Sequence, residues 1–442
     1  MPRAVGAGPA LLATTHPRQR DRSTQSSAPV HCGAMTLSKR RATSALLLAQ
    51  VLLLPACARE TSPSAPESPP PASISAHLAL KPPMGFNTWN RFGCDIDETL
   101  LRETADALVE TGMRDAGYRY VVVDDCWQTS RDADGRIVAD PERFPSGMKA
   151  LADYVHSQGL LFGLYTDVGP MTCQDRPGSL GYEEIDAATY AEWGVDYVKV
   201  DWCHSEGLDA AVSYRKFRDA FDGAGRPMVL SICEWGRNAP FEWAREIGHL
   251  WRTTADIQPT WESILWTADA NERHHELAEP GRWNDPDMLQ VGNGDLTLSE
   301  NRAHFTLWAL MAAPLMAGND LRAMSEEILD LLTNTDVLAV NQDPLGRQGR
   351  IVLDRGYGLQ VWAKPLEGGA VAVALLNRSG DAIEGYVRWS DVGLAAGAAN
   401  VQDLWTGESL GRHVDDGRYE TRLRAEIGAH DVRLFRLTPA PD

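Results

Sequence analysis

The chain has 442 residues, more than one ordinary hydrophobic core accommodates, which indicates a large domain followed by a smaller one. Its 61 acidic residues outnumber its 42 basic residues and give a formal net charge of -19 at pH 7. Because this charge repels a phosphate backbone, the composition argues against nucleic acid as a partner.

Residues 1–57 have the pattern of a leader followed by an export signal. From Met35, a basic head at 39–41 precedes an apolar stretch from Ala45 to Leu54, which is too short to span a bilayer comfortably. We therefore expect export to the periplasm or cell envelope. The ending "LPAC" resembles a lipoprotein box that would lipidate Cys57 and anchor the protein to a membrane, although proline is unusual there; ordinary signal cleavage nearby is the alternative.

Residues 58–79 are a linker rich in Pro and Ser, which cannot collapse into a core. From about residue 80, short apolar runs are continuous rather than alternating, as expected of strands covered on both faces. These runs are "MGFNTW" (84–89), "RYVVVDD" (119–125), "LLFGLYTDVG" (160–169), "VDYVKVDW" (195–202), "PMVLSICEW" (227–235), "HLWRTTAD" (249–256), "GRWNDPDM" (281–288) and "PLMAGND" (314–320).

Helical patterns lie between the apolar runs. They cover residues 97–117, 146–159 with Ser146 as a candidate N-cap, and 207–225. Both an open doubly wound sheet and a closed barrel fit this alternation. About eight units over roughly 265 residues favour a (β/α)8 TIM barrel for residues 80–345. A Gly-rich phosphate loop, which a dinucleotide fold would place after its first strand, is missing from the sequence.

The pattern changes near residue 346. The runs "YGLQVWAKPL", "GAVAVALLNRS", "GYVRWSDVGL", "VQDLWTG" and "HDVRLFRLTP" are short, partly alternating and separated by Gly, Asp and Asn. This predicts a C-terminal antiparallel β-sandwich over residues 346–442.

Polar residues collect at the predicted carboxyl ends of the barrel strands, the rim where barrel active sites lie. They are Asp124, Asp125, Asp167, Lys199, Asp201, Glu234, Arg252, Asp256, Asp285 and Asp287. Several could simply cap helices. Acids converging on one rim repel one another, however, so the set as a whole indicates a ligand site.

The cysteines fit the same geometry. Cys94 and Cys126 follow the first and second strands, and Cys173 and Cys203 follow the third and fourth. Because loops after neighbouring strands are neighbours at the rim, we predict the disulfides Cys94–Cys126 and Cys173–Cys203, with Cys233 left reduced.

The motifs "PPMGFNTWN", "VVVDDCWQ", "VDYVKVDWC", "ICEWG", "WRTTADI" and "RWNDPDML", in this order and spacing, resemble the α-galactosidases of glycoside hydrolase family 27 (melibiases). The resemblance covers roughly residues 80–440. It implies a retaining hydrolase with Asp201 as nucleophile and Asp256 as general acid/base. It further implies that the sugar is surrounded by Trp89, Asp124, Asp125, Tyr165, Lys199, Glu234, Arg252 and Asp287, with Asp124 and Asp125 on ring hydroxyls and Glu234 facing the 2-hydroxyl.

These roles make chemical sense, because a retaining mechanism needs one ionised and one protonated carboxyl group about 5 Å apart. Lys199 lies on the same strand face as Asp201, so we expect it to lower the pKa of Asp201. We expect the surrounding carboxylates to raise the pKa of Asp256. By sequence alone Asp285 is a rival for the acid, and only the resemblance prefers Asp256.

The expected activity is release of terminal α-linked galactose from oligosaccharides or galactosylated polysaccharides, without a cofactor or metal. The adjacent His274 and His275 lack the spacing of a metal site. Three alternatives remain: a β-L-arabinopyranosidase, an α-N-acetylgalactosaminidase, and a non-catalytic glycan-binding lipoprotein. Glu234 with Trp235 favours a free 2-hydroxyl over an acetamido group, and Asp124 favours galactose, because a longer acid would fill the space of its hydroxymethyl group.

Overall fold

The computed structural model describes residues 77–441. The predicted leader, export signal and Cys57 anchor, together with nearly all of the linker, lie outside the described residues.

The first part of the described chain is built on an eight-stranded parallel sheet in the order β10-β1-β2-β5-β6-β7-β8-β9. A parallel bridge between Leu289 and Ala317 joins the segment after β9 to β10 and completes the ring. Strands β3 and β4 form a separate antiparallel hairpin. The strands to this point are β1 Met84–Asn87, β2 Tyr120–Val123, β3 Gln128–Arg131, β4 Ile137–Ala139, β5 Leu161–Asp167, β6 Tyr197–Asp201, β7 Val229–Cys233, β8 Leu250–Arg252, β9 Trp283–Asp285 and β10 Leu315–Ala317. All eight predicted barrel runs therefore contain a strand; the hairpin was not predicted.

Helices follow the barrel strands and cover the sheet. Among the described residues they are α1 Trp89–Phe92, α2 Glu98–Glu110, α3 Met113–Ala116, α4 Gly147–Ser157, α5 Glu183–Trp193, α6 Ala210–Gly223, α7 Pro240–Trp243, α8 Trp261–Glu272, α9 Leu298–Leu310, α10 Glu326–Thr333 and α11 Thr335–Asn341. Side-chain caps start several of them: Asp97 accepts from the Leu100 N–H at 2.7 Å, and Asp209 from the Val212 N–H at 3.0 Å.

Two helix predictions need correction. The predicted helix over 97–117 is broken, because Gly112 takes a left-handed conformation (φ +80°) that ends the first helix and starts a second, short one. Ser146 is not an N-cap, since it is itself in the right-handed helical region and its side chain makes no capping bond. Its N–H instead donates to Glu98 at 3.0 Å, which ties α4 to α2.

Strand β2 shows why continuous apolar runs form a barrel. Val121 and Val123 pack in the main core outside the sheet, under the helices, while Val122 between them packs in a second cluster inside the ring. Because both faces of the strand are buried, both need apolar side chains. Gly163 on β5 relieves the crowding inside, since a Cβ there would lie 2.8 Å from Val122 Cγ2.

The rest of the described chain forms antiparallel sheets, as predicted. A six-stranded sheet in the order β11-β12-β13-β18-β15-β16 faces a two-stranded sheet of β14 and β17. These strands are β11 Arg350–Asp354, β12 Leu359–Pro365, β13 Val371–Asn377, β14 Ile383–Val387, β15 Gly397–Asp403, β16 Ser409–Asp415, β17 Leu423–Ile427 and β18 Val432–Ala440. Strands β11, β16 and β17 were not predicted, because they lack a clear alternation of buried and exposed side chains: β11 buries no side chain fully, β16 only its last one and β17 only its two end residues.

The sandwich packs on the barrel through α8 and α9. Arg302 on α9 makes a two-pronged ion pair with Asp431, and Arg378 makes another with Asp269 on α8, at 2.8 and 2.9 Å. Across residues 77–441, the helices are too short or too polar to traverse a bilayer.

Candidate active site

The carboxyl ends of the barrel strands bring the predicted site residues to one cavity. Its wall consists of Trp89, Asp124, Asp125, Tyr165, Cys173, Lys199, Asp201, Trp235, Arg252, Asp256, Asp287 and Met288. Of the ten predicted sugar-contacting and catalytic residues, only Glu234 is missing from this wall. The wall also includes Trp235, which sequence reasoning used only together with Glu234, and Cys173 and Met288, which it did not assign to the site.

A buried ion pair forms one side of the cavity. Lys199 donates to Asp124 Oδ2 at 2.9 Å, and Asn87 on β1 donates to the same oxygen at 2.7 Å. Burial disfavours the charged lysine, but the charge of Asp124, its hydrogen bond and the charge of Asp201 contribute to a larger opposing effect, so the pKa of Lys199 lies well above its ordinary value. Lys199 is therefore a fixed cation in the cavity.

Asp201 ends β6 and is almost fully buried. Its Oδ1 accepts from the Trp202 N–H at 2.9 Å. Burial raises the pKa of Asp201 to about 6, and the charge of Lys199 only partly opposes this rise. The expected lowering by Lys199 is confirmed, but the net pKa of Asp201 is raised, because removing the carboxylate from water costs more than Lys199, paired with Asp124, returns.

For Asp256, in contrast to Asp201, nearby positive charge outweighs burial and lowers the pKa. It lies after β8, where Arg252 donates to its Oδ1 at 2.9 Å and also contacts Asp287 at 3.0 Å. Burial raises the pKa of Asp256, but the charges of Arg252 and Lys199 and the hydrogen bond from Arg252 together outweigh burial and lower it overall. The expectation that surrounding carboxylates raise this pKa is therefore wrong, because the neighbouring cations dominate.

Asp285, the rival acid, is not part of the wall that carries Asp201. It lines a smaller cavity deeper in the barrel with Tyr197, Cys233 and Met316. Its Oδ1 accepts from the Asp287 N–H at 2.9 Å, which fixes the turn that presents Asp287. Burial raises the pKa of Asp285 to about 6. Its position suits support of Asp287 better than contact with a leaving group.

Glu234 is fully buried and is not part of the wall; the Asn238 side chain donates to its Oε2 at 2.9 Å, whereas its Oε1 has no hydrogen-bond partner. The next residue, Trp235, reaches the cavity instead. Trp235 has a left-handed backbone (φ +59°), as does Asp287 (φ +86°), a strained conformation for residues other than glycine that collects at functional sites. The motif "ICEWG" indicated this strand end. It did not reveal the turn that directs the side chain of Trp235, rather than that of Glu234, to the cavity.

Both predicted disulfides are present, joining Cys94 to Cys126 and Cys173 to Cys203, and Cys233 is buried and reduced. The second bridge closes over Asp167, the last residue of β5, which is opposite Asp201 in strand register. Asp167 accepts from the Gly169 N–H at 2.8 Å and the Cys203 N–H at 2.9 Å.

Asp167 is a buried acid beside Asp201. A carboxylate oxygen of each lies within 4.8 Å of the other. Burial, reinforced by the charge of Asp201, raises the pKa of Asp167 to about 9. Asp167 is therefore an uncharged carboxyl group at neutral pH, which holds two loops without adding charge beside Asp201.

An eight-stranded barrel with five aspartates in a rim cavity, followed by an antiparallel sandwich, is the arrangement of a barrel glycosidase. Comparison with known proteins makes this specific. Residues 81–343 match the family model described as alpha galactosidase A, and residues 356–437 match the alpha galactosidase C-terminal beta sandwich domain. The chain belongs to the α-galactosidase (melibiase) family.

Individual relatives are similar to this chain along most of their length. An alpha-galactosidase A of Cellvibrio japonicus is 47% identical over 384 residues, covering 82% of this chain and 93% of the relative. The solved alpha-galactosidase I of Mortierella vinacea has a TM-score of 0.78 at 34% identity, covering 83% and 98%. The Saccharomyces cerevisiae enzyme, solved with raffinose, has a TM-score of 0.77 at 29% identity, covering 83% and 99%.

Proposed function

We propose that the chain is a retaining α-galactosidase that releases terminal α-galactose from oligosaccharides or galactosylated polysaccharides. Residues 80–345 act as the catalytic barrel and 346–442 as the appended sandwich. One observation carries the assignment: Asp201 and Asp256 line the same rim cavity in a chain of this family. Asp201 attacks the anomeric carbon, and Asp256 first protonates the leaving oxygen and then activates water.

The nucleophile must be ionised to attack. With a pKa of about 6, Asp201 is mostly charged at neutral pH and becomes protonated as the pH falls below that value. The charge of Lys199 helps to keep it ionised in a buried position. This is the chemical use of a lysine placed two residues before the nucleophile on the same strand face.

The general acid must carry a proton, which the ion pair with Arg252 opposes. The proposed role therefore requires the bound saccharide to separate Asp256 from Arg252 and so raise the pKa of Asp256. The Asp256 side chain remains 59% exposed, which leaves it room to move. Arg252 keeps a partner during this movement, because it also contacts Asp287.

The remaining wall is suited to a sugar ring. Asp124, Asp125 and Lys199 offer buried acceptors and a donor for hydroxyl groups, and Trp89 offers an indole face. The short side chain of Asp124 leaves space for the hydroxymethyl group of galactose, which β-L-arabinopyranose lacks. The raffinose bound by the yeast relative supports an oligosaccharide substrate.

The proposal includes export to the periplasm or cell envelope. The secretory pattern before Cys57 supports it, and so do the two rim disulfides, which form in oxidising compartments. Mass spectrometry of the mature N-terminus tests it: a lipidated Cys57 indicates an anchored protein and a free N-terminus near it ordinary cleavage. Retention of the whole leader in the cytoplasm would contradict export.

A side-by-side assay tests the activity. Nitrophenyl glycosides of α-galactose, α-N-acetylgalactosamine and β-L-arabinopyranose are compared with the wild type and with Asp201→Asn. We expect fastest turnover of the α-galactoside and none of it by the folded variant. Preference for either other sugar assigns the corresponding alternative activity. If none of the three glycosides is hydrolysed, the proposed catalysis is contradicted and a glycan-binding protein is favoured.

A further inference from the structure

A second groove lies on the same rim as the proposed catalytic cavity. It runs between the segments that follow β9, β10 and β1, which are neighbours in the barrel. The short helix α1 joins the two sites, since Trp89 lines the catalytic cavity and Arg91 lines the groove. The further polar lining includes Asn293, Asn319 and Asp320.

One buried asparagine in the groove has an unused acceptor oxygen. Asn319 is only 3% exposed, and its Oδ1 has no hydrogen-bond partner. The neighbouring Asn293 is 8% exposed and is held by its Nδ2, which donates to Gln290 and to the Gly318 carbonyl, at 2.9 and 3.0 Å. A buried acceptor without a partner is costly, so the Asn319 oxygen indicates a donor supplied from outside.

The rest of the groove is suited to an uncharged hydroxylated ligand. Arg91 is exposed and offers N–H donors, while Ala323, Met324 and Ile328 form an apolar wall. A saccharide unit combines these features, since it has hydroxyl groups on its edges and an apolar C–H face. Asp320 in the lining disfavours an anionic ligand such as phosphate.

The groove adjoins the side of the catalytic cavity that carries Asp256. Gln290 links the two, because it accepts from Asn293 and donates from Nε2 to the Ile257 carbonyl at 3.1 Å. Gly294 packs directly on Pro259, so closely that a Cβ there would lie 2.8 Å from the Pro259 Cβ. The general acid of a glycosidase faces the leaving-group oxygen, so the leaving saccharide extends on this side.

We infer that this groove binds saccharide units of the leaving group, so that the substrate is a galactose-bearing chain of several sugars. The inference rests on the proposed α-galactosidase function and specifies its substrate class. The groove positions the chain that carries the galactosyl branch and contributes no reacting group.

The test compares two substrates in three variants. Arg91→Ala removes the exposed donor and Asn319→Leu removes the buried amide at similar volume. Arg347→Ala is the matched control: it is an exposed arginine beside Gly346, which packs on Pro280 before β9, at the opposite end of the barrel. The substrates are nitrophenyl α-galactoside, which reaches only the cavity, and a manno-oligosaccharide with one α-galactosyl branch.

We expect each groove variant to lower kcat/KM for the branched oligosaccharide about five- to tenfold, mainly through KM, as the loss of one hydrogen bond implies. The nitrophenyl substrate and the control should change less than about twofold, the scatter expected of a surface change. Equal losses on both substrates, or none on either, would overturn the inference. Arg91→Ala, on an exposed side chain, keeps the test valid if Asn319→Leu fails to fold.

If the wild type hydrolyses neither substrate, the proposed α-galactosidase activity is wrong, but saccharide binding by the groove is still to be decided. Calorimetric titration with the unbranched manno-oligosaccharide then decides whether the groove binds saccharides. Binding by the wild type that is weakened in both groove variants supports the site. Absence of binding, or equal binding by all variants, rejects it.

Discussion

Lys199 Nζ lies 2.9 Å from Asp124 Oδ2, so the lysine two residues before the proposed nucleophile is bonded to an acid on the neighbouring side of the cavity. The side chain of Asp124 is 2% exposed and that of Lys199 is 15% exposed, which makes this a buried pair. Lys199 therefore has two effects: it fixes Asp124, a proposed sugar-binding acid, by contact, and it lowers the pKa of Asp201 by its charge.

Replacing Lys199 by Met should disturb both the position of Asp124 and the pKa of Asp201. It leaves Asp124 buried without its cation, which in comparable pairs lowers the free energy of unfolding by several kcal/mol. It also removes a charged donor from the cavity, so we expect kcat/KM to fall about 100-fold or more. It also removes a charge that lowers the pKa of Asp201, so the acid limb of the kcat/KM profile should move to higher pH.

The measurement is the full pH profile of kcat/KM for wild type and variant. In the wild type the acid limb should lie near pH 6, where Asp201 loses its charge. Lys149→Met is the matched control, because Lys149 makes only an exposed pair with Asp153 on α4. An unmoved or lowered acid limb in Lys199→Met would contradict the account.

Asp167 should make stability depend on pH. The folded-state pKa of Asp167, about 9, is raised above its ordinary value of 3.8, so the native state keeps a proton that the unfolded chain loses between these values. The contribution of this carboxyl group is thus greatest at low pH and is lost progressively up to about pH 9. Asparagine cannot ionise and gives no such loss.

The measurement is thermal unfolding of wild type and Asp167→Asn across this pH range. The variant loses one acceptor for the Gly169 and Cys203 N–H groups, a cost that does not vary with pH. We therefore expect its Tm relative to wild type to rise steadily with pH. A difference that stays constant would show that Asp167 ionises normally.

Substitutions of Trp235 and of Glu234 should have different effects on KM. Trp235 lines the cavity, whereas Glu234 is fully buried and bonded to Asn238. We expect Trp235→Ala to raise KM for nitrophenyl α-galactoside, because the substitution removes part of the cavity wall. The space that it opens should also allow a 2-acetamido sugar to bind. Glu234→Gln keeps the volume and should change KM less. A larger effect of Glu234→Gln on KM would place the carboxylate in contact with the sugar, as the sequence resemblance implies.

Much of this arrangement could be predicted from sequence, because it follows from short-range patterns. Val121 to Val123 is apolar on both faces, which predicts a covered parallel strand, and the end of such a strand places Asp124 and Asp125 at the rim. The disulfides followed from the same reasoning, since Cys173 and Cys203 follow neighbouring strands.

The charge states could not be predicted in this way. They depend on which partner each side chain contacts across the barrel: Lys199 contacts Asp124, and Arg252 contacts Asp256. Burial of Asp201 outweighs the nearby lysine, and neither quantity is visible along the chain. The exchange of Glu234 for Trp235 at the wall depends on a left-handed turn that no local pattern marks.

The most direct test of the central claim is to trap the glycosyl-enzyme intermediate with a fluorinated α-galactosyl fluoride and map the modified peptide by mass spectrometry. The account predicts one galactosyl group per protein, attached to Asp201, and none on Asp201→Asn. Attachment to Asp256 or Asp285, or turnover without any trapped intermediate and with inversion at the anomeric carbon, would contradict it.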